Sequence, residues 1–280
     1  MVLHGNRLED LRDLLVQFLR TQPLAPLAPE VLLVQSAGMK HWLEVSLADD
    51  SALGIFAATR MELPSGFLWQ VYRQVLGADQ VPTHMPFDKS SLVWRLMRLL
   101  PALIEQRPVY QPLQRYLSEA PDGRKLYQLA LQLADVLDGY QSYRADWLAA
   151  WAQGRDVLTQ PQGPDLPLDP AQAWQPALWR DLRRDVGEAL AEASRAAVHA
   201  RFMARLQQLS RGGERPAGLP ERIVVFGISS LPHQAVEALA ALGQLSQVLM
   251  LVHNPSQYYW GDLVEGHAQL RQQLRRRQRV

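Results

Sequence analysis

Phosphate chemistry on an α/β scaffold needs a glycine-rich loop ending in Gly-Lys-Ser or Gly-Lys-Thr. Its backbone amides cradle the phosphates and its lysine reaches the outer ones. Only Lys40, Lys89 and Lys125 are available here, and none of them follows a glycine. Where such a loop belongs, after the first apolar run, the chain reads His4-Gly5-Asn6-Arg7-Leu8. Further on, Val224-Val225-Phe226 passes into Gly227-Ile228-Ser229-Ser230, so no magnesium-binding carboxylate closes that strand. The residues predict a chain with no ATPase activity and no cofactor of its own. The seven histidines show neither H-x-H nor H-x-x-x-H spacing and cysteine is absent, so no zinc site is expected. The serines lack a G-x-S-x-G elbow. Three lysines so placed also assemble no nuclease cluster of carboxylates with a catalytic lysine.

What remains is chemistry of contact. Asp135 and Asp138 stand three apart on one predicted helix and share a face, as a paired carboxylate or as a solvated surface. Trp42, Trp69 and Trp94 fall among helical apolar positions, interleaved with Arg60, Arg73, Arg95 and Arg98. They suit core packing or base stacking. A basic run, Arg271, Arg275, Arg276, Arg277 and Arg279, could meet phosphate or solvent.

The elements that would hold these residues alternate. Val2-Leu3-His4 precedes a helix carrying Leu8, Leu11, Leu14, Leu15, Phe18 and Leu19 at three- and four-residue spacing. Prolines 23, 26 and 29 mark a linker. Val31-Leu32-Leu33-Val34 reads as a buried strand, followed by a turn at Gln35–Gly38 and a helix through Leu47. After Leu63-Pro64-Ser65-Gly66 comes a helix with Phe67, Leu68, Val71, Tyr72 and Val75. From 88 to 212 the pattern is helical: a helix over Ser90–Leu100 ending before Pro101, another over Arg124–Leu137, a Pro/Gly-rich loop at Thr159–Pro170 and one long helix from Pro176 to Leu209. Strands return at Arg222–Gly227 and Gln247–Val252, separated by a helix over His233–Leu242. A parallel α/β domain, 1–87 with 213–280, interrupted by a helical insertion at 88–212, is the simplest arrangement.

The chain is 280 residues long, about two domains' worth, with 48% apolar and 20% charged residues. Its net charge is +1, and 29 basic residues include only three lysines. Near-neutrality argues against indiscriminate coating of nucleic acid and allows a confined path. No apolar run reaches membrane-spanning length, and the N-terminus predicts no secretory leader.

The segments at the strand ends resemble, in order, those of superfamily 1 helicases stripped of ATPase residues: Gln35–Leu43, Leu63–Trp69, Phe226–Gln234 and His253–Trp260. Their wording is closer to the N-terminal region of the RecC family, the gamma subunits of exodeoxyribonuclease V. The resemblance rests on His4-Gly5-Asn6-Arg7-Leu8, Val34–Met39, Tyr143–Leu148, Ala171–Gln175 and Asn254–Asp262. It implies a degenerate helicase-like (P-loop NTPase-like) parallel sheet with a large all-helical insertion. The implied subunit has no catalysis of its own. It threads the unwound 3′-ended single strand through a tunnel and recognises Chi within a cytoplasmic heterotrimer. RecB-like and RecD-like partners there use ATP and magnesium.

Carried over by position, the DNA-binding candidates are Gln35, Ala37, His41, Leu63, Trp69, Asp135, Val136, Asp138, Arg144 and Arg195. Ala37, His41 and Val136 depart from the enterobacterial pattern, which has a hydroxyl, an amide and a leucine there. Trp69 and Leu63 suit unstacked bases. Arg144 suits guanine O6 and N7, Gln35 suits adenine, and Asp135 or Asp138 can accept from cytosine N4. The competing expectation is an assembly scaffold that binds the motor subunits without touching DNA.

Overall fold

The computed structural model describes residues 1–49, 51–118, 123–160, 163–212 and 215–256. The segment Tyr258–Asp262, the basic run from Arg271 and Gly213 lie outside the described residues. The chain forms two compact units. One comprises Met1–Leu63, Arg222–Ser230 and the segment from Val248; the other comprises Pro64–Glu221 and Leu231–Gln247.

In chain order the first unit opens with β1 (Val2–Gly5), α1 (Leu8–Thr21), β2 (Glu30–Leu33), α2 (Ala37–Ala48) and β3 (Thr59–Glu62). The second unit supplies α3 (Pro64–Leu76), α4 (Lys89–Gln106), α5 (Gln111–Ser118), α6 (Gly123–Tyr143) and α7 (Ala145–Ala152). An antiparallel ribbon of β4 (Val157–Leu158) and β5 (Leu166–Pro167) precedes α8 (Trp174–Val186), α9 (Glu188–Ala191) and α10 (Arg195–Gly212). Then follow β6 (Arg222–Phe226), α11 (His233–Leu242) and β7 (Gln247–His253).

The first unit is built on a mostly parallel five-stranded sheet in the order β1-β7-β6-β2-β3. Parallel pairing sets Leu32 beside Val224 and Met61, and Leu3 beside Leu251. On one sheet face Leu32, Val34, Val224, Phe226, Leu249 and Leu251 receive Leu11 and Leu15 of α1 and Leu43 and Leu47 of α2. Val31, Leu33, Ile223 and Val225 point to the opposite face and are also fully buried. Burial on both faces explains why β2 and β6 read as continuous apolar runs rather than alternating ones. Edge strand β3 gave no such signal, because Thr-Arg-Met-Glu buries only Met61.

The second unit encloses a separate helical core, which includes Leu92, Leu96, Leu100, Leu133, Trp151 and Trp179. Three expectations are corrected here. Helix α4 does not stop before Pro101 but runs through it to Gln106. Pro101 is exposed, and the apolar stripe Leu92, Leu96, Leu100, Ile104 continues beneath it. That burial, about 1.5–3 kcal/mol per side chain, outweighs a proline penalty of about 3 kcal/mol. The single long helix over Pro176–Leu209 is instead α8, α9 and α10. Gly187 ends α8 at φ 88° and ψ 152°, a backbone state open essentially to glycine alone. The loop at Thr159–Pro170 contains β5, which pairs Leu166 with Leu158.

Candidate functional site

Four candidates gather at the carboxyl edge of the sheet. Val34 ends β2 buried, and the chain then turns outward at exposed Gln35. Ser36 caps α2, its hydroxyl oxygen accepting the Met39 N–H at 3.2 Å, so the helix starts at Ala37 and the expected glycine turn lies within its first turn. Ala37 and His41, one turn apart and both exposed, share a face of α2. Leu63 leaves the neighbouring strand β3 and is 50% exposed. Connections run from β2 to β3 on one side and from β6 to β7 on the other, so the chain direction diverges between β2 and β6. The crevice beyond the carboxyl ends at such a point is where open α/β sheets take ligands. At β1, by contrast, only Asn6 and Arg7 join strand to helix. Leu11 Cδ2 lies 2.8 Å from where a Cβ on Gly5 would stand, so the turn is filled by a side chain.

Within the second unit, Trp69, Asp138 and Arg195 line a cavity of about 290 Å³ with Leu68, Tyr72 and Met85. Arg195 donates to Ser142 Oγ at 2.6 Å and to Asp138 Oδ1 at 3.3 Å, so these two charges offset each other. Trp69 is only 5% exposed, and its indole N–H donates to the Pro82 carbonyl at 3.0 Å. Its ring is thus part of the cavity wall.

Arg144 lines a neighbouring, more polar groove with Asp146, Thr159, His233 and Glu237; Ser142 and Gln234 border both spaces. Its guanidinium lies 3.7 Å from the Trp147 ring centroid and forks onto Asp146 at 3.1 and 2.9 Å. It also donates to the Thr159 carbonyl. Burial raises the Asp146 carboxyl, but hydrogen bonds from Arg144 and Thr159 outweigh it and hold the group below the usual carboxylate range. Asp135 is exposed and pairs with Lys89, whose ammonium this hydrogen bond holds above its ordinary value. Val136 beside it is 44% exposed. Asp135 and Asp138, which the sequence allowed as a carboxylate pair or a solvated face, therefore bind two different cations, Lys89 and Arg195.

One polar cluster of this unit escaped the sequence. Tyr72, His199, Glu237 and His233 bond in a chain across α3, α10 and α11. Only the His233–Glu237 spacing hinted at it. Among the described residues no group of three or more His, Cys, Asp or Glu could hold a metal ion, and no helix is long and apolar enough to cross a membrane.

Residues 1–280 match the family model for RecC, N-terminal domain. The chain is similar to the RecBCD enzyme subunit RecC of Haemophilus influenzae, 37% identical over 277 residues. It is likewise similar to that of Escherichia coli strain K12, 39% identical over 266 residues, and each match covers 94% of this chain. The corresponding subunit of Mycobacterium tuberculosis is 29% identical over 281 residues, again 94% of this chain. The chain spans 24%, 22% and 23% of the length of these three relatives.

Proposed function

The chain belongs to the RecC family, and from that membership we propose that it is a non-catalytic part of a bacterial helicase–exonuclease that repairs double-strand breaks by recombination. In this reading a helicase-like α/β domain without ATPase residues guides the unwound 3′-ended single strand along a tunnel and recognises a Chi-like sequence. RecB-like and RecD-like subunits supply motor and nuclease activity with their own ATP and magnesium, in the cytoplasm.

The observation that carries the proposal is the exposed set Gln35, Ala37, His41 and Leu63 at the carboxyl ends of adjacent parallel strands. These are short polar and apolar side chains with no lysine or arginine among them, a composition suited to base edges and faces rather than phosphates. The turn filled by Leu11 and the wording His4-Gly5-Asn6-Arg7-Leu8, which lacks the Gly-Lys-Ser/Thr of a phosphate loop, support the loss of nucleotide binding.

The test is fluorescence anisotropy of a labelled single-stranded oligonucleotide at two salt concentrations, with the wild type and the double variant Gln35→Ala, Leu63→Ala. Both positions are exposed, so the fold should survive. The expected result is affinity weakened about tenfold or more at an unchanged salt slope, since base contacts contribute about 1–3 kcal/mol each and release no counterions. Binding indifferent to both changes would sink the proposal.

A scaffold role has its own support. Leu27, Ile55 and Trp94 are 91%, 76% and 68% exposed, apolar surface suited to protein partners.

A further inference from the structure

Tyr72 Oη lies 2.9 Å from His199 Nδ1, and His199 Nε2 lies 3.3 Å from Glu237 Oε2. The same carboxylate oxygen is 3.3 Å from His233 Nδ1. Both inner members are buried, Tyr72 at 4% and His199 at 7% exposure, whereas His233 is exposed. An ionised carboxylate only accepts, so the imidazole nitrogen facing Glu237 must carry the hydrogen. His199 is then the Nε2–H tautomer, its Nδ1 is left as an acceptor, and the Tyr72 hydroxyl donates to it.

Tyr72 is also a wall of the 290 Å³ cavity, between Trp69 at 6.4 Å (edge to face) and Phe202 at 4.5 Å. We infer that Glu237 and His199 are positioning residues that latch Tyr72 into the cavity wall with its hydroxyl as donor, and that protonation of His199 reverses the latch, making that hydroxyl the acceptor. An imidazolium has two donors and no acceptor, so its Nδ1–H then donates to the Tyr72 oxygen, the hydroxyl hydrogen must turn away from His199, and both imidazole bonds gain charge assistance. The chain keeps both links, and the Tyr72 hydroxyl hydrogen is redirected.

The charged surroundings are few. Glu237 and His233 face His199 from α11 and Tyr72 faces it from α3. On α10 itself Arg195 stands one turn earlier, tied to Asp138 of α6. Burial lowers the His199 imidazole, with Glu237 opposing and His233 assisting, so the acceptor form prevails near neutrality. The consequence for nucleic acid rests on the single-strand reading above; the latch does not.

Long-range proton–nitrogen NMR on the histidine-labelled chain tests it, with His199→Gln identifying the signal. The wild type should show the Nε2–H tautomer at pH 7.5, and the Tyr72 ring signals should move with the His199 titration. Glu237→Gln keeps an oxygen acceptor, so the tautomer should persist while the midpoint falls by about one pH unit or more. Glu237→Ala should give mixed tautomers. An Nδ1–H tautomer in the wild type, or Tyr72 signals unmoved through the titration, would overturn the latch. Oligonucleotide anisotropy from pH 7.5 to 4.5 should show a midpoint that follows His199 and shifts with Glu237→Gln. Failure to bind at any pH, beside the expected NMR result, counts against the single-strand reading and leaves the latch standing.

Discussion

Arg144 arrives at its groove already engaged. Stacked on Trp147 and forked onto Asp146, it can take the O6/N7 edge of guanine only by giving up its carboxylate. Asp146→Asn removes that competitor's charge and should strengthen single-strand binding severalfold, whereas Arg144→Ala should weaken it. A general loss of negative charge would also help a polyanion bind, so the double variant decides. If Asp146 acts through Arg144, adding Asp146→Asn to Arg144→Ala should restore nothing. Acid should be felt at two other side chains. His199 has its imidazole lowered from 6.5 by burial, so the unfolded chain takes up a proton first as pH falls. Stability should therefore be flat above about pH 6.5 and decline below it, a slope that His199→Gln removes. Burial raises the Asp185 carboxyl, but bonds from Arg98 and Arg95 overcome this and hold it below 3.8. Its contribution is present above that value and is lost on further acidification; urea midpoints from pH 8 to 2 would follow both windows. Residue types at strand ends could be read from the chain, as Gln35 and His41 illustrate. The helical apolar position of Trp69 also pointed to its burial, and only the family resemblance set the ring against bases. Tyr72 could not be joined to His199 across 127 residues, since no sequence period links such partners.

Elements were legible where one physical signal dominated. Strands β2 and β6 and helices α1 and α11 announce themselves through apolar runs or three-and-four spacing, because burial alone decides them. Failures came where two local signals conflicted. At Pro101 a breaker residue met an unbroken apolar stripe, and the stripe won because the proline ring faces solvent. At Gly187 the reverse held: a helical composition on both sides was interrupted by one backbone state. The glycine N–H returns to the carbonyl oxygens of Arg183 and Arg184, closing α8, and the chain then redirects into α9. Gly187→Ala places a Cβ on a conformation that L-residues avoid, although nothing crowds the added carbon. The expected loss is about 1–3 kcal/mol in urea unfolding, from backbone strain rather than from packing. An unchanged or raised midpoint would mean that the α8–α9 corner relaxes and that the two helices tolerate continuity.

At the scale of the whole molecule, charge and apolar surface act together. The formal net charge is only +1, so little long-range repulsion opposes encounters between copies. The described surface meanwhile presents large apolar side chains at widely separated places in the chain. Leu27 is 91% exposed and sits at φ 68°, a left-handed backbone state that a leucine adopts at some expense. Ile55 is 76% exposed, and Trp94 stands beside Tyr127 with ring centroids 6.3 Å apart on the faces of α4 and α6. Burial of one such side chain contributes about 1.5–3 kcal/mol, so a contact using several of them can hold copies together at working concentrations. The chain should therefore self-associate as its concentration rises, and added salt should not reverse it, because the attraction is apolar. Sedimentation velocity over a hundredfold concentration range is the measurement, with Leu27→Ser and Trp94→Ser as variants that disturb no buried contact. A faster-sedimenting species that a variant reduces would identify that side chain as sticky and strengthen the scaffold reading. A single monomeric boundary throughout would mean that the exposed side chains are too dispersed to form a docking surface, and it would leave the sheet edge at Gln35 and Leu63 as the stronger candidate for contact.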